Sequence, residues 1–215
     1  MKNIISSYSR IRPGHVCVNG GIEYHDENFI TFAEFIKPFF KRLDLGYPKF
    51  YKMDPLSKLG FIASELVFRH VNLDLFDKKR VGVVLANANS SLDTDLVHQE
   101  SISNRSQYFP SPSVFVYTLP NIMIGEICIR HRLNGENAFL IAENFETKQL
   151  FAYVNELFIN NRVDACLTGW VDLLKDEFES LMMFVEPDRT DHSAEKLGIK
   201  LPFSDETMDE LYKIT

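Results

Sequence analysis

A chain of 215 residues, 45% of them hydrophobic and 25% charged, has the composition of a folded globular protein rather than a disordered one. At that length a single domain buries on the order of 70% of the surface its unfolded form exposes, so no covalent staple is needed. The formal net charge of -7 excludes a general electrostatic attraction to nucleic acid or to anionic membranes, and any binding must rest on a local site. No apolar run approaches the roughly 20 residues of a membrane span. Met1 to Arg12 reads as polar rather than as a signal-peptide core, so a cytoplasmic location is expected.

Taken in chain order, His15 to Asn19 alternates apolar and polar residues and stops at Gly20-Gly21, which predicts a short strand and a turn. A helix is predicted over Phe29 to Phe40, with Pro38 as a boundary or kink because it lacks the backbone donor. Asp54 then caps a helix whose first position is Pro55 and whose apolar residues, Leu59, Ile62, Ala63, Leu66 and Val67, recur at helical spacing to about Val71. Val81 to Leu85 is a continuous apolar run with the character of a buried strand, and Asn87 to Leu92 opens a helix that runs to about Ser103. After a loop marked by Pro110 and Pro112, helical periodicity returns from Leu119 to Arg132, followed by a buried-strand candidate over Ala138 to Ala142. Phe145 to Asn160 predicts a helix, and Val163 to Trp170 and Leu181 to Glu186 predict strands. Pro187 to Thr215 holds a short helix candidate near Ala194 and a charged C-terminal piece. No repeat or linker divides the chain, so one α/β domain is expected over residues 1–215.

Cys17, Cys128 and Cys166 show no paired spacing and sit among apolar neighbours, as small core hydrophobes do. The histidines are scattered; His131, between Arg130 and Arg132, has the look of a polar helix end, and no metal site is expected.

Four blocks in order carry a family resemblance: Tyr51 to Gly60, Val81 to Leu85, Pro112 to Asn121 with its Leu119-Pro120-Asn121 turn and Gly125, and Gly135 through Asn144 to Val163–Trp170. Together they resemble the N-terminal half of β-ketoacyl-(acyl carrier protein) synthases, strongest over residues 49–186. That resemblance implies a thiolase-like half: a layered α/β fold with a mostly parallel central sheet and flanking helices. Its nearest group is the short, divergent synthase-like proteins of fatty-acid-like, polyketide or aryl-polyene pathways.

Condensation in that family needs a Cys thiolate at a helix N-terminus, where the macrodipole and free amides lower its pKa and stabilise oxyanion charge. The resemblance places that nucleophile at Asn144, and Ala142, Glu143, Phe145 and Glu146 around it hold no thiol. A carboxamide cannot attack an acyl carrier, and Thr147, the nearby hydroxyl, reads as a first-turn residue bonding its own backbone. The family's two histidines and its lysine lie in the C-terminal half, which has no counterpart here; His192 has a charged, solvent-facing setting. Glu143 and Glu146 are expected to favour a helix N-terminus electrostatically, by about 0.3–1 kcal/mol.

The resemblance therefore implies an accessory subunit without catalytic residues or cofactors. It would pair with itself or with a complete synthase, because a half-size chain leaves an apolar face to cover. The alternative is an acyltransferase completed by a partner chain or using a different nucleophile. A binding role would use Thr118, Asn121, Glu143 and Asn144 as candidate substrate contacts, with acyl carrier protein docking on Lys78-Lys79-Arg80 or Arg130-His131-Arg132.

Overall fold

The computed structural model describes residues 2–103, 106, 108–188 and 198–214. The segment that reads as a polar start forms the ten-residue strand β1, Asn3–Arg12. Ile5 and Ile11 are buried, and so are Ser7 and Ser9 between them. The serines tolerate burial because Ser7 Oγ donates to the Val67 carbonyl at 3.0 Å and Ser9 Oγ to the Ala63 carbonyl at 2.8 Å. A register shift between Ile5 and Ser7 breaks the strict alternation, which is why the stretch does not announce itself as a strand.

β2 (His15–Val18) and β3 (Gly21–His25) continue from β1 as an antiparallel meander. Helix α1, Phe32–Leu43, starts at a capping box between Thr31 and Glu34 and passes through Pro38 without ending there. Pro38 lies on the exposed side, so the carbonyl it leaves unpaired faces water. Helix α2, Pro55–Phe68, starts as the sequence predicts, with Asp54 accepting from the Ser57 amide, and ends three residues earlier than expected. The remaining elements are β4 (Val81–Asn87), α3 (Leu92–Ser103), α4 (Pro112–Val116), α5 (Ile122–His131), β5 (Asn137–Ile141), α6 (Thr147–Ile159), β6 (Ala165–Leu174), β7 (Glu177–Pro187), β8 (Leu201–Pro202) and α7 (Asp205–Lys213). The charged C-terminal piece is thus a helix, capped by Ser204. The helix candidate near Ala194 and His192 lie outside the described residues.

All eight strands form one sheet in the order β3-β2-β1-β7-β6-β4-β5, with β8 also pairing β1. β5, β4 and β6 are parallel neighbours, and β7 runs antiparallel between β6 and β1, so β1, β6, β4 and β5 share one direction. Helices α1, α2 and α5 cover one face, meeting Val83, Leu85, Met182 and Phe184. Helices α6 and α7 cover the other, meeting Val84, Leu181, Met183 and Val185. Burial on both faces explains the unbroken apolar runs of β4 and β7. β5 departs from expectation: it is an edge strand with exposed ends, not a buried one.

Of the fourteen residues of α2, all but Pro55 and Lys58 are buried, including Glu65. Glu65 accepts from Arg130 Nε at 2.9 Å and lies 2.9 Å from His131 Nε2, which ties α2 to the end of α5. Burial pushes its carboxyl up, but the hydrogen bonds and charges of His131 and Arg130 outweigh that and hold it below its ordinary value. A folded pKa below the unfolded one contributes stability above the ordinary carboxyl value of 4.5 and loses it as pH falls through the lower folded value. Glu65→Gln is expected to lower stability by about 2–3 kcal/mol at neutral pH in denaturant titration, with the gap to the parent narrowing in acid.

Candidate functional site

The C-terminal ends of β4, β5 and β6 lie at one end of the sheet, where parallel α/β sheets present their functional loops. The loop after β4 is folded by its own side chains. Asn87 Nδ2 donates to the Ser90 carbonyl at 2.9 Å, the Ser90 amide returns a bond to Asn87 Oδ1 at 3.0 Å, and Ser90 adopts φ +51°. Asp172 of β6 holds the same loop from the side: its Oδ1 accepts from the amides of Ala88 (3.1 Å) and Asn89 (2.9 Å), and its Oδ2 from Asn89 Nδ2 (2.7 Å). Ser91 Oγ donates to the Thr118 carbonyl at 2.8 Å, and the Ala142 amide donates to the Asn87 carbonyl at 3.0 Å. Loops from β4, β5 and the α4–α5 turn are thereby laced into one crown.

Each residue singled out from the sequence can now be placed. Thr118 is half-buried at the crown, its hydroxyl donating to the Phe115 carbonyl at 2.7 Å. Asn121 is the exposed N-cap residue of α5 and makes no capping bond through its side chain. Glu143 and Asn144 are exposed in the bend between β5 and α6. The N-cap of α6 is Glu146, which makes no side-chain bond there but sits at the helix N-terminus as the sequence suggests, whereas Glu143 lies before it in the bend. Thr147 is the first residue of α6. The β4 hydrogen bonds bring Thr118 and the Asn144 bend to the same end of the sheet, and none of the four residues lines either of two clefts among the described residues. A cleft of about 510 Å³ lies between β1, β8 and α6, lined by Ile4, Phe151, Asn155, Leu201 and Phe203. A second, of about 190 Å³, lies beside the start of α2, lined by Asp54, Thr94, Val97 and Tyr117.

Asn87, Asn89 and Asp172 were not singled out by sequence reasoning. Their signal is the polar run Asn87–Ser91 directly after a buried strand, and for Asp172 there is none, since an acid inside a strand gains meaning only when the neighbouring loop lies over it. The crown's named side chains are amides, hydroxyls and a carboxylate. They donate and accept hydrogen bonds, and supply neither a thiolate nor an imidazole to carry a proton.

Two of the three thiols are poor nucleophiles. Cys166 is buried in β6, and burial pushes its thiol up to about 12; burial pushes the half-buried Cys128 up to about 11. Cys17 is half-buried too, so only Cys166 is the core residue the sequence suggests for all three. The two basic triplets are largely occupied. Arg80 makes two 2.8 Å bonds to Asp164, Lys78 pairs with Asp74, and Arg130 and His131 turn inward to Glu65, leaving Lys79 and Arg132 exposed. Neither triplet forms the continuous basic patch expected for docking an acidic carrier. Among the described residues the one grouping suited to a metal ion is His15, His25 and Glu27, on the β2–β3 hairpin at the far edge of the sheet from β5.

No protein-family model matches the chain, and no curated protein does. Solved structures do. The chain is similar to the ishigamide ketosynthase/chain length factor, with a TM-score of 0.66 and 16% identity over 89% of this chain and 64% of that one. It is also similar to a type II polyketide ketosynthase in complex with its acyl-carrier protein, AntDE:AntF, with a TM-score of 0.62 and 13% identity over 87% and 62%. A third is the ketosynthase ApeO in complex with its chain length factor ApeC from Xenorhabdus doucetiae, at TM-score 0.59 and 11% identity over 88% and 81%. The chain spans under two thirds of the first two. These likenesses show the fold, which is the thiolase-like fold of ketosynthases and chain length factors.

With every cysteine at least half-buried, a thiol reagent at neutral pH is expected to modify Cys17 and Cys128 slowly and Cys166 only on unfolding, as read by intact-mass spectrometry. Asn144→Cys, placed in the exposed bend, is expected to react fastest of all.

Proposed function

We propose that this chain is a non-catalytic ketosynthase-like subunit that pairs with a complete synthase in a cytoplasmic pathway of fatty-acid-like, polyketide or aryl-polyene assembly. The observation that carries the reading is the bend after β5. Where the resemblance puts the nucleophile stands the exposed amide of Asn144, and the crown around it offers hydrogen-bonding groups only. Two of the structural neighbours are described as a ketosynthase with a chain length factor, which supports pairing between two chains.

The pairing surface follows from the two sheet edges. β3, at one edge, carries Glu23 and His25 beside a register irregularity between Val16 and Cys17, devices that discourage strand addition. β5, at the other, reads Asn-Ala-Phe-Leu-Ile, with no charge, proline or bulge. The bonds from Val83 to the Glu136 carbonyl and from Ala142 to the Asn87 carbonyl turn the even-numbered positions toward β4. By alternation, the amides of Asn137, Phe139 and Ile141 face outward, open to another strand. Exposed apolar residues lie on α3 and around α4: Leu92, Leu96, Val97, Phe115, Val116 and Leu119 are 41–60% exposed. Ile141, where β5 finishes, is itself 54% exposed. Helices cover both faces of the sheet, so the uncovered apolar face that the resemblance implies is absent among the described residues, and the open surface of the sheet is its edges. An uncharged strand edge with outward amides fits a second ketosynthase-fold chain.

Ile141→Pro removes an outward donor without touching the β4 ladder, and Ile141→Lys places a charge at the same edge. In size-exclusion chromatography with light scattering, the parent is expected to co-elute with a complete ketosynthase from the same organism. Both variants should elute alone, with unchanged melting temperatures. Undiminished pairing by both variants, or a parent that stays monomeric with the synthase present, would contradict the proposal.

A further inference from the structure

Away from the crown, two histidines ten residues apart in sequence meet across the β2–β3 hairpin. His15 and His25 are directly paired in register, which puts their side chains on one face. Their rings lie 4.4 Å apart between centroids, with the two Nδ1 atoms at 3.1 Å. Glu27 lies two residues beyond His25, and its Oε1 is 3.3 Å from His25 Nε2. The neighbouring acid, Asp26, is committed elsewhere, its carboxylate accepting from Tyr24 Oη and from the Asn28 amide. One donor atom from each of His15, His25 and Glu27 falls within 4.8 Å of the other two.

We propose that His15, His25 and Glu27 form a binding site for a divalent first-row transition metal, of which Zn²⁺ is the physiological example. Two imidazole nitrogens and a carboxylate are the donor types such ions select, whereas Ca²⁺ and Mg²⁺ require oxygen cages. For metal–ligand bonds of about 2.0–2.1 Å, adjacent ligand atoms lie about 2.9–3.4 Å apart. The 3.1 Å contact to His15 is made by His25 Nδ1 and the 3.3 Å contact to Glu27 by His25 Nε2, so each has that edge length but from a different nitrogen of the ring. Closure needs only a turn of the His25 ring, so that one nitrogen faces both neighbours. All three side chains are exposed and free to make that adjustment. Three protein donors leave further positions to water, so the site is open.

The consequence for the fold is local. The ion would fasten β3, the sheet edge remote from β5, to β2, and would stabilise the folded state by linkage. The site is independent of the pairing reading, because the hairpin shares no residue with the β5 edge or the crown.

The test is titration of Zn²⁺ alone into the metal-free full chain, followed by competition with a chromophoric chelator and by calorimetry. One equivalent is expected to bind in the micromolar range and to raise the melting temperature in proportion to the logarithm of free metal. His15→Ala and His25→Ala are each expected to weaken binding by at least about tenfold, and Glu27→Gln by a smaller factor. All three metal-free variants should melt with the parent, since the side chains are exposed. Co²⁺ substituted for Zn²⁺ should give ligand-field bands without a thiolate charge-transfer band. No saturable binding, binding unchanged by both histidine variants, or a thiolate band implicating Cys17 two residues along β2 would each overturn the assignment.

Discussion

Helix α2 is buried on nearly every side, and a helix in that position has to be satisfied on every side. The sheet meets its apolar side; Ser7 and Ser9 of β1 reach across to its Val67 and Ala63 carbonyls. On the opposite side the charge of Glu65 is met by Arg130 and His131 at the end of α5. Gly60 allows α5 to come close, since a Cβ there would stand 2.1 Å from Met123 Sδ. Fixing α5 fixes the Thr118–Asn121 turn that leads into it, and Ser91 then fastens that turn to the loop after β4. The architecture of the crown is thus set by how the central helix is packed and neutralised, several turns from the crown itself.

The same scaffold shapes the loop after β4 through hydrogen bonds. Asp172 spends its carboxylate on two backbone amides and the Asn89 side chain, and Asn87 and Ser90 satisfy each other. Groups engaged in this way shape a surface and do not transfer protons. Asn144 lies in an exposed bend, whereas a reactive thiolate would be held at a helix N-terminus. The two edges of the sheet differ: β3 carries Glu23 and His25 beside an irregular register, whereas β5 is uncharged.

Local signals were readable where backbone chemistry is local. Asp54 and Pro55 mark the start of α2, and the unbroken run at Val81 marks a strand buried on both faces. β1 was hidden because its buried serines look polar until their partners on α2 are known, and Pro38 misleads because its ring faces solvent within a continuing helix. That β5 is an edge depends on strand order, which no local pattern encodes. At the site, the resemblance pointed to Asn144, which lies in the exposed bend before α6. Asp172 and the His15–His25 pair depend on what register brings together, and the basic triplet at Arg130 looked like a docking surface because Glu65, which turns it inward, is 65 residues away.

The central claim is that this ketosynthase-fold chain has no condensing chemistry of its own. The most direct measurement is incubation of the pure protein with acyl- and malonyl-loaded acyl carrier protein, following the protein's intact mass and carbon dioxide release. The account predicts an unchanged mass and no carbon dioxide above the carrier-only control. A covalent acyl adduct, or malonyl decarboxylation dependent on this chain, would contradict it, and peptide mapping of the adduct would identify the nucleophile.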